Sequence, residues 1–439
     1  MSVAKARDVK LSAGREKVVL VGGYRPGDLL PGEEPLEELE RLAQTAGAHV
    51  VAKIVQNIKL VTPATFIGKG KVQEIKEIAN EHGARCILFD HDLLPGQSKN
   101  LDQATGLKVM DRTELILDIF ASRARSRMAM VQVGIALLRY RLPRLKRLWT
   151  HLERQEGGIG MRGGPGERQI EVDRRKIEKQ IDDLKHELKE IEGRKERMVR
   201  ARADENFLVS LVGYTNAGKS TLMRALTGEN VLVEDRLFST LDTKTSLLKL
   251  GGGVHVLISD TVGFIRRLPH HLVASFHATL EEARSANLLL HVVDASSPLA
   301  RGQIDAVNSV LKEIECNYQK ALVVLNKADA VPPELELELK MLKEEYPEAL
   351  VVSALKSEGL DRLRMEIRER ARDDAQPLTV AVHAGDGKTL SFLATHFFED
   401  SREMDGEWIT LKGRASRNVV EKLLALKDTV RIIQGGPEK

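Results

Sequence analysis

Nine consecutive residues have the types and spacing of a phosphate-binding loop. They read Gly213-Tyr214-Thr215-Asn216-Ala217-Gly218-Lys219-Ser220-Thr221, and the first eight fit the pattern G-x-x-x-x-G-K-[ST]. The glycines allow the backbone to curl so that successive N–H groups point at phosphate, and a helix that follows adds its positive end. We expect Lys219 to be a catalytic contact to the β- and γ-phosphates and Ser220 to hold Mg²⁺. The alternative is a glycine turn before a helix, with no ligand.

A carboxylate and a glycine follow the next apolar stretch. Residues 254–259 predict a strand, and Asp260-Thr261-Val262-Gly263 come directly after it. Asp260 is placed to hold Mg²⁺, commonly through water, and Gly263 would let a backbone N–H approach the γ-phosphate, which makes it a catalytic candidate. Alone, this pattern predicts only a turn. Its position after the phosphate-binding loop favours a nucleotide site.

A third pattern selects the base. Residues 321–325 predict a strand, which Asn326-Lys327-Ala328-Asp329 follow. The Asp329 carboxylate can accept hydrogen bonds from N1–H and the N2 amino group of guanine, a donor pair that adenine lacks. Asn326 would support the loop, and the Lys327 stem would lie along the base. Backbone N–H groups of Ser353-Ala354-Leu355, after a further predicted strand, could bind guanine O6. The order of these patterns is that of a GTPase, so we expect GTP and GDP as ligands.

The segment between the first two patterns contains the threonines that a nucleotide switch would need. It reads Leu237-Phe238-Ser239-Thr240-Leu241-Asp242-Thr243. We expect Thr240 to close on Mg²⁺ and the γ-phosphate as a catalytic residue, with Phe238 beside the nucleotide. Thr243 and Thr245 are alternatives for the same role. A polar loop without a ligand is the other interpretation.

Phe264 follows Gly263, at a position where many GTPases carry a glutamine that orients the attacking water. Phenylalanine cannot hydrogen-bond water, so hydrolysis should be slow in the free protein and should depend on a large activating partner. In some GTPases with an apolar residue here, an asparagine of the phosphate-binding loop helps to bind K⁺. Asn216 makes K⁺ a further cofactor hypothesis.

The fold class predicted around these patterns is a multidomain α/β protein. Alternating strands and helices indicate an N-terminal α/β domain at residues 17–112, a doubly wound P-loop domain at 205–372 and a small α+β domain at 373–439. Residues 113–204 differ. We expect one helix from Glu114 to Tyr140, then a Gly-rich loop at residues 157–166, then a long helix over 170–203. The apolar residues of the last helix repeat as a heptad, which predicts a helical hairpin; they are Ile177, Ile181, Leu184, Leu188 and Ile191.

Basic residues crowd the tip of this predicted hairpin. Between residues 121 and 155 the sequence contains many arginines and a single acidic residue, Glu153. Such a patch suits a phosphate backbone, so Arg144, Arg147 and Arg162 are candidate RNA contacts. A solvated face that pairs with acids elsewhere is the alternative. An acidic membrane surface is a weaker one, because the apolar residues are needed for the seam.

The composition limits the remaining classes. Net charge is +3, and aromatic residues make up 4% of the 439 residues, which argues against RNA binding by aromatic stacking as the main mode. Cys86 and Cys316 lie in apolar stretches and are expected to be buried thiols. There is no apolar signal core and no run long enough to span a bilayer. We expect a cytoplasmic monomer with no DNA partner.

The chain resembles HflX-type GTPases. The resemblance rests on the phosphate-binding loop, on residues 237–242 and 260–264, and on further motifs outside that domain; these are residues 66–71, 111–120, 142–145, 157–167 and 173–175. It covers roughly residues 17–370. The chain departs from the family at residues 127–131 and at Asp242-Thr243-Lys244, where the family has Asp-Pro-Thr.

This resemblance implies a ribosome-associated GTPase. The family binds the large ribosomal subunit, with the hairpin loop directed towards the peptidyl-transferase region, and it can split stalled ribosomes under stress. The partner implied is therefore ribosomal RNA, and the ribosome would supply the activation that Phe264 calls for. An alternative function is an assembly or anti-association factor that uses GTP only as a conformational ligand. An ATP-driven RNA remodeller is disfavoured by Asp329.

Overall fold

The computed structural model describes residues 16–145, 165–228, 237–238, 243–251, 254–266, 281–425 and 430–434. The chain divides into two compact units, one formed mainly by residues up to Glu192 and one mainly by residues from Gly193. Thr240, Arg147, Arg162 and most of the Gly-rich loop lie outside the described residues. No helix in the described part is both long and apolar enough to span a bilayer.

The N-terminal part of the first unit is a parallel sheet with helices against it. Its strands are β1 (Lys17–Tyr24), β2 (His49–Asn57), β3 (Cys86–Phe89) and β4 (Lys108–Asp111), in the order β2-β1-β3-β4. Its helices are α1 (Glu37–Thr45), α2 (Lys69–His82) and α3 (Pro95–Thr105). The sequence patterns missed α3, because its polar residues largely obscure the helical period, although Leu101 is buried.

Three helices follow, where the sequence predicted two; they are α4 (Arg112–Arg123), α5 (Arg127–Arg141) and α6 (Pro165–Glu205). The prediction of one helix from Glu114 to Tyr140 was wrong at Ala124, whose backbone is extended. Ser126 then caps α5, since its side chain accepts a hydrogen bond from the N–H of Ala129. Helix α6 begins with Pro165 and Gly166, which were expected in the loop; proline is well tolerated in a first turn.

The heptad seam of α6 is confirmed. Val131 and Ile135 of α5 form a core cluster with Ile181 of α6. The remaining apolar residues of the seam pack against this cluster; they are Ile177, Leu184, Leu188 and Ile191. Arg127 and Glu187 add an ion pair at 2.5 Å between the same helices. The two helices therefore form the expected apolar contact.

The second unit contains a six-stranded sheet. Its strands are β5 (Leu208–Gly213), β6 (Lys244–Lys249), β7 (His255–Asp260), β8 (Leu288–Asp294), β9 (Leu322–Asn326) and β10 (Leu350–Val351). Their order in the sheet is β10-β9-β8-β5-β7-β6. Only the edge strand β6 runs antiparallel to its neighbour. The described helices of this domain are α7 (Lys219–Thr227), α8 (Glu281–Arg284), α9 (Ala300–Glu313), α10 (Glu336–Glu345) and α11 (Leu360–Asp374). The predicted doubly wound P-loop fold is confirmed.

The C-terminal part of the second unit has a four-stranded antiparallel sheet. In chain order its elements are β11 (Gln376–His383), α12 (Gly387–His396), β12 (Phe397–Asp405), β13 (Trp408–Ala415), α13 (Arg417–Leu424) and β14 (Val430–Gln434). This is the βαββαβ order, and the sheet order β12-β13-β11-β14 is that of ferredoxin-like folds. The sequence patterns did not predict strand β12.

Candidate active site

The predicted nucleotide-binding residues meet at one edge of the six-stranded sheet. Gly213, Asp260, Asp294 and Asn326 end the parallel strands β5, β7, β8 and β9. The chain proceeds from β5 to one side of the sheet and later returns to the other side, so the order reverses at β5. In doubly wound folds, ligands bind at the carboxyl ends of the strands where such a reversal occurs. The phosphate-binding loop follows β5 at this point.

Two glycines of the loop have conformations and surroundings that exclude a side chain. Gly213 has a φ of 154°, and a Cβ atom there would lie 2.2 Å from the carbonyl oxygen of Val292. Gly218 has a φ of 90°, and its Cβ would lie 2.3 Å from Nδ2 of Asn326. Both contacts are too close for any other residue, so these positions require glycine. The turn leads directly into α7, whose first residue is Lys219.

Lys219 lies folded inside its own loop. Its Nζ donates to the carbonyl oxygens of Gly213 at 3.1 Å and Tyr214 at 2.8 Å, and the residue is 6% exposed. Burial lowers the pKa of this ammonium group to about 8, while the Asp260 carboxylate acts in the opposite direction. Burial, and then the charge of Lys219, lower the pKa of His291 on β8 to about 4. His291 is therefore neutral at physiological pH and adds no charge beside the phosphate-binding lysine.

Ser220 and Asp260 are brought together as predicted. Oγ of Ser220 donates to Oδ2 of Asp260 at 2.5 Å, and both residues are buried. Mg²⁺ prefers oxygen ligands of this kind, so the pair fits a magnesium ion. The buried hydroxyl of Thr215 has no hydrogen-bond partner among the described residues, which leaves a polar atom of the loop available to a ligand.

Gly263 and Phe264 lie against the phosphate-binding loop. A Cβ atom on Gly263 would lie 2.9 Å from Cα of Thr215 and 3.0 Å from Nζ of Lys219. The N–H of Phe264 donates to the carbonyl of Gly213 at 3.1 Å, and its carbonyl accepts from the N–H of Thr215 at 2.7 Å. The Phe264 ring is 3% exposed. The residue after Gly263 is thus held by backbone bonds and offers no polar side chain to a water molecule.

Asn326 joins two loops of the site. Its Nδ2 donates to the carbonyl of Ala217 at 2.9 Å, and its Oδ1 accepts from the N–H of Ala354 at 3.0 Å. The side chain is buried, so both amide groups are satisfied within the protein. Asn326 therefore has the supporting position that the sequence predicted.

Lys327 is held by a residue that the sequence patterns did not single out. Its Nζ lies 2.6 Å from Oδ2 of Asp294, and Oδ1 of Asp294 accepts hydrogen bonds from the backbone and hydroxyl of Ser296. Cε of Lys327 also lies near the position of a Cβ on Gly218. The sequence does contain a signal that could have identified Asp294, because this residue ends an apolar strand in the same way as Asp260.

Asp329 lies beside the loop that follows β10. Its Oδ1 accepts from the hydroxyl of Ser353 at 2.6 Å. Two of the three predicted O6 donors are already used, because the N–H of Ser353 donates to Glu358 and that of Ala354 donates to Asn326. Within the described residues, only Leu355 of the three keeps an N–H without an acceptor. The contact of this segment with guanine O6 stays a prediction, and Leu355 is the predicted donor that has no protein acceptor among the described residues.

The alternatives to Thr240 are engaged elsewhere. The hydroxyls of Thr243 and Thr245 both approach the carboxylate of Glu282, at 2.7 and 3.5 Å. The ring of Phe238 is buried against Phe120, with ring centroids 4.6 Å apart. Phe238 thus has a packing role in the structure, and its contact with the nucleotide stays a prediction, as does that of Thr240.

Arg144 is tied to the N-terminal domain. Its Nη2 donates to Asp111 at 3.0 Å and to the carbonyl of Leu93 at 2.8 Å, and its guanidinium stacks on Tyr140. The side chain is 14% exposed. This arrangement favours a structural role for Arg144, in contrast to the exposed RNA contact that the charge pattern indicated.

The class of protein follows from this sheet edge: the chain is a P-loop GTPase. Family models described as GTP-binding GTPase N-terminal, GTP-binding GTPase Middle Region and 50S ribosome-binding GTPase match residues 33–121, 123–202 and 208–327. The GTPase HflX of Escherichia coli strain K12 is 41% identical over 92% of this chain and 93% of its own length. The chain belongs to the HflX family of GTPases.

Two further HflX relatives agree with this assignment. The GTPase HflX of Magnetococcus marinus is 45% identical over 81% of this chain and 82% of the relative. That of Caldanaerobacter subterraneus subsp. tengcongensis is 39% identical over 94% of each. A solved structure of a GTP-binding protein from Sulfolobus solfataricus in complex with GDP is 25% identical, with a TM-score of 0.43, over 82% of this chain and 99% of that chain.

Proposed function

We propose that this GTPase binds the large ribosomal subunit and uses GTP hydrolysis to split or rescue stalled ribosomes under stress. The observation that carries the proposal is the environment of Phe264. Its buried ring and backbone bonds leave the position after Gly263 without a group that orients water. A GTPase built in this way hydrolyses slowly until a partner completes the site. The family model described as 50S ribosome-binding GTPase, over residues 208–327, supports a ribosome as that partner.

The predicted site residues have clear roles in this proposal. Backbone N–H groups of the phosphate-binding loop and Lys219 bind the β- and γ-phosphates, and Asp329 recognises guanine. Ser220 and Asp260 would hold Mg²⁺, together with Thr240. When bound, Mg²⁺ neutralises phosphate charge. Gly263 leaves room for its own N–H to approach the γ-phosphate, since a side chain there would meet Thr215 and Lys219. Asn216 is the residue through which K⁺ would act.

The contact with the ribosome is proposed for the basic tip of the hairpin. Arg147 precedes the Gly-rich loop in the sequence and Arg162 belongs to it, and both suit the phosphate backbone of ribosomal RNA. Arg144 supports this region through its bonds to Asp111 and Leu93. We propose that the protein acts as a monomer in the cytoplasm, without a DNA partner.

The experiment that tests this function is GTP turnover with and without purified large ribosomal subunits. We expect stimulation by roughly two orders of magnitude or more, the scale on which a partner completes an unfinished GTPase site. The R147A/R162A double variant should lose most of the stimulation and its salt dependence while binding GDP normally. Tight binding to the subunit without stimulation would instead favour an assembly or anti-association factor. The absence of both binding and stimulation would refute the ribosomal role.

A further inference from the structure

Glu282, Thr243 and Lys195 form a cluster of side chains beside β6, and the Thr245 hydroxyl approaches the other carboxylate oxygen of Glu282 at 3.5 Å. The Thr243 hydroxyl donates to Oε1 of Glu282 at 2.7 Å and accepts from Nζ of Lys195 at 3.0 Å. Nζ of Lys195 also lies 3.3 Å from the same carboxylate oxygen. Each of the three side chains therefore contacts the other two.

The cluster is largely removed from water. The side chain of Glu282 is 9% exposed and that of Lys195 is 21% exposed. A small gap next to Glu282 is lined by apolar side chains, among them Val199 and Leu257, and by the polar residues Arg202, Thr245 and Ser259. In such surroundings, hydrogen bonds to charged groups are strong, and removal of one partner leaves a buried charge uncompensated. We therefore expect the cluster to be kept or broken as a whole.

Its members come from segments with different roles. Thr243 lies three residues after Thr240, the predicted switch threonine. Glu282 belongs to α8, which follows the chain segment that begins with Asp260 and Gly263. Lys195 belongs to α6, whose earlier turns carry the apolar hairpin seam. One carboxylate thus contacts the trailing end of the predicted switch and the helix of the hairpin.

We propose that Glu282 is a positioning residue that fixes the end of the switch segment and transmits its state to α6 through Lys195. The proposal rests on the proposed role of Thr240. When Thr240 gains or loses its contacts with Mg²⁺ and the γ-phosphate, the chain is pulled at Thr243. The Thr243 hydroxyl then keeps its bonds only if Glu282 and Lys195 follow, and otherwise the cluster opens. Both outcomes change the stability of the adjacent turns of α6.

The test compares backbone hydrogen exchange in residues 193–202 of the full-length protein with GDP and with a non-hydrolysable GTP analogue. The variants T243V and K195M remove hydrogen bonds at nearly constant volume, and T243S restores the hydroxyl. E281Q is the matched control, because Glu281 lies next to Glu282 but pairs with Arg284 at 3.1 Å. GDP affinity and the thermal midpoint of unfolding are measured for each variant. These two measurements show whether a change in hydrogen exchange comes from weaker nucleotide binding or from a less stable fold.

In the unaltered protein we expect exchange rates in this segment to differ about fivefold or more between the two nucleotides. T243V and K195M should reduce the difference to less than about twofold, with GDP affinity changed by less than about threefold, since in the structure both side chains are engaged with Glu282. The T243S and E281Q variants should keep the full difference in exchange rate between the two nucleotides. A full difference in T243V and K195M would overturn the proposal, and so would no difference in the unaltered protein. The ribosomal function is judged separately, by turnover with large subunits.

Discussion

Nζ of Lys327 lies 2.6 Å from a carboxylate oxygen of Asp294, at the end of the neighbouring strand. The other oxygen of Asp294 is held by Ser296, so the carboxylate is fixed before Lys327 reaches it. The lysine stem is thereby kept against the phosphate-binding loop, where it would cover one face of the base. A long, flexible side chain becomes part of a preformed wall, which reduces the entropy lost when a ligand binds.

Replacement of Asp294 should therefore weaken nucleotide binding without unfolding the domain. We expect D294N to lower the affinity for GDP about tenfold, because Lys327 loses its charged partner and must be ordered by the ligand. Fluorescence titration with a labelled GDP measures the effect. D305N is a suitable control, since Asp305 is exposed on α9. Equal affinities for D294N and the unaltered protein would show that Asp294 does not order Lys327 for nucleotide binding.

Asp329 should determine which base is bound. In the D329N variant, the amide can no longer accept from both donors of guanine, and we expect GTP affinity to fall about 100-fold or more. Xanthine nucleotides, which present an acceptor where guanine has its amino group, should then bind better than guanine nucleotides. Competition between GDP and xanthosine diphosphate measures the exchange of preference. D361N, at an exposed surface position, should behave as the unaltered protein; an unchanged guanine preference in D329N would contradict the assignment.

The buried Lys219 predicts a pH dependence of nucleotide affinity. Burial lowers the pKa of its ammonium group to about 8, and a phosphate oxygen bonded to it would raise the pKa again. Above pH 8, where Lys219 is largely neutral in the free protein, nucleotide binding is then accompanied by protonation of this lysine. Affinity for GDP should be flat from pH 7 to 8 and should fall as the pH rises further, by up to about tenfold per pH unit. Titrations between pH 7 and 9 test this. K219A should bind weakly and show no such slope, and constant affinity of the unaltered protein up to pH 9 would exclude the mechanism.

Arg144 should be needed for stability more than for contact with RNA. Its partner Asp111 has a side chain that is only 1% exposed, and burial raises the pKa of that carboxyl group. In the R144A variant the carboxylate loses its charged partner, so the free energy of unfolding should fall by about 3 kcal/mol. Urea denaturation measures this loss, and R139A, an exposed arginine on α5, is the control. If R144A is as stable as R139A, the buried pair contributes little.

The parts of the site that could be predicted are those set by local chain geometry. A glycine-rich turn between a strand and a helix, and a carboxylate or amide at the end of an apolar strand, follow from spacing alone, which is why Lys219, Asp260 and Asn326 lie where we expected. The roles of Asp294 and Glu282 were not predicted, because their partners, Lys327 and Thr243, are distant in the sequence. Contacts between distant residues leave no periodic pattern.

The errors in the fold have similar causes. The break between α4 and α5 depends on one capping serine, Ser126, inside a stretch whose composition favours helix throughout. Strand β12 was missed because most of its residues are exposed on both faces, so the usual alternation of apolar and polar residues is lost. A pattern based on burial cannot reveal an element that buries little.

Strand β12 lies at the open edge of the C-terminal sheet and is lined with charge. Glu399, Asp400, Arg402, Glu403 and Asp405 are all exposed along it. An edge strand offers unpaired backbone groups to any other extended chain, and a row of ionised side chains makes such an approach costly. These side chains therefore protect the sheet against self-association and aggregation at the high protein concentrations of a cell.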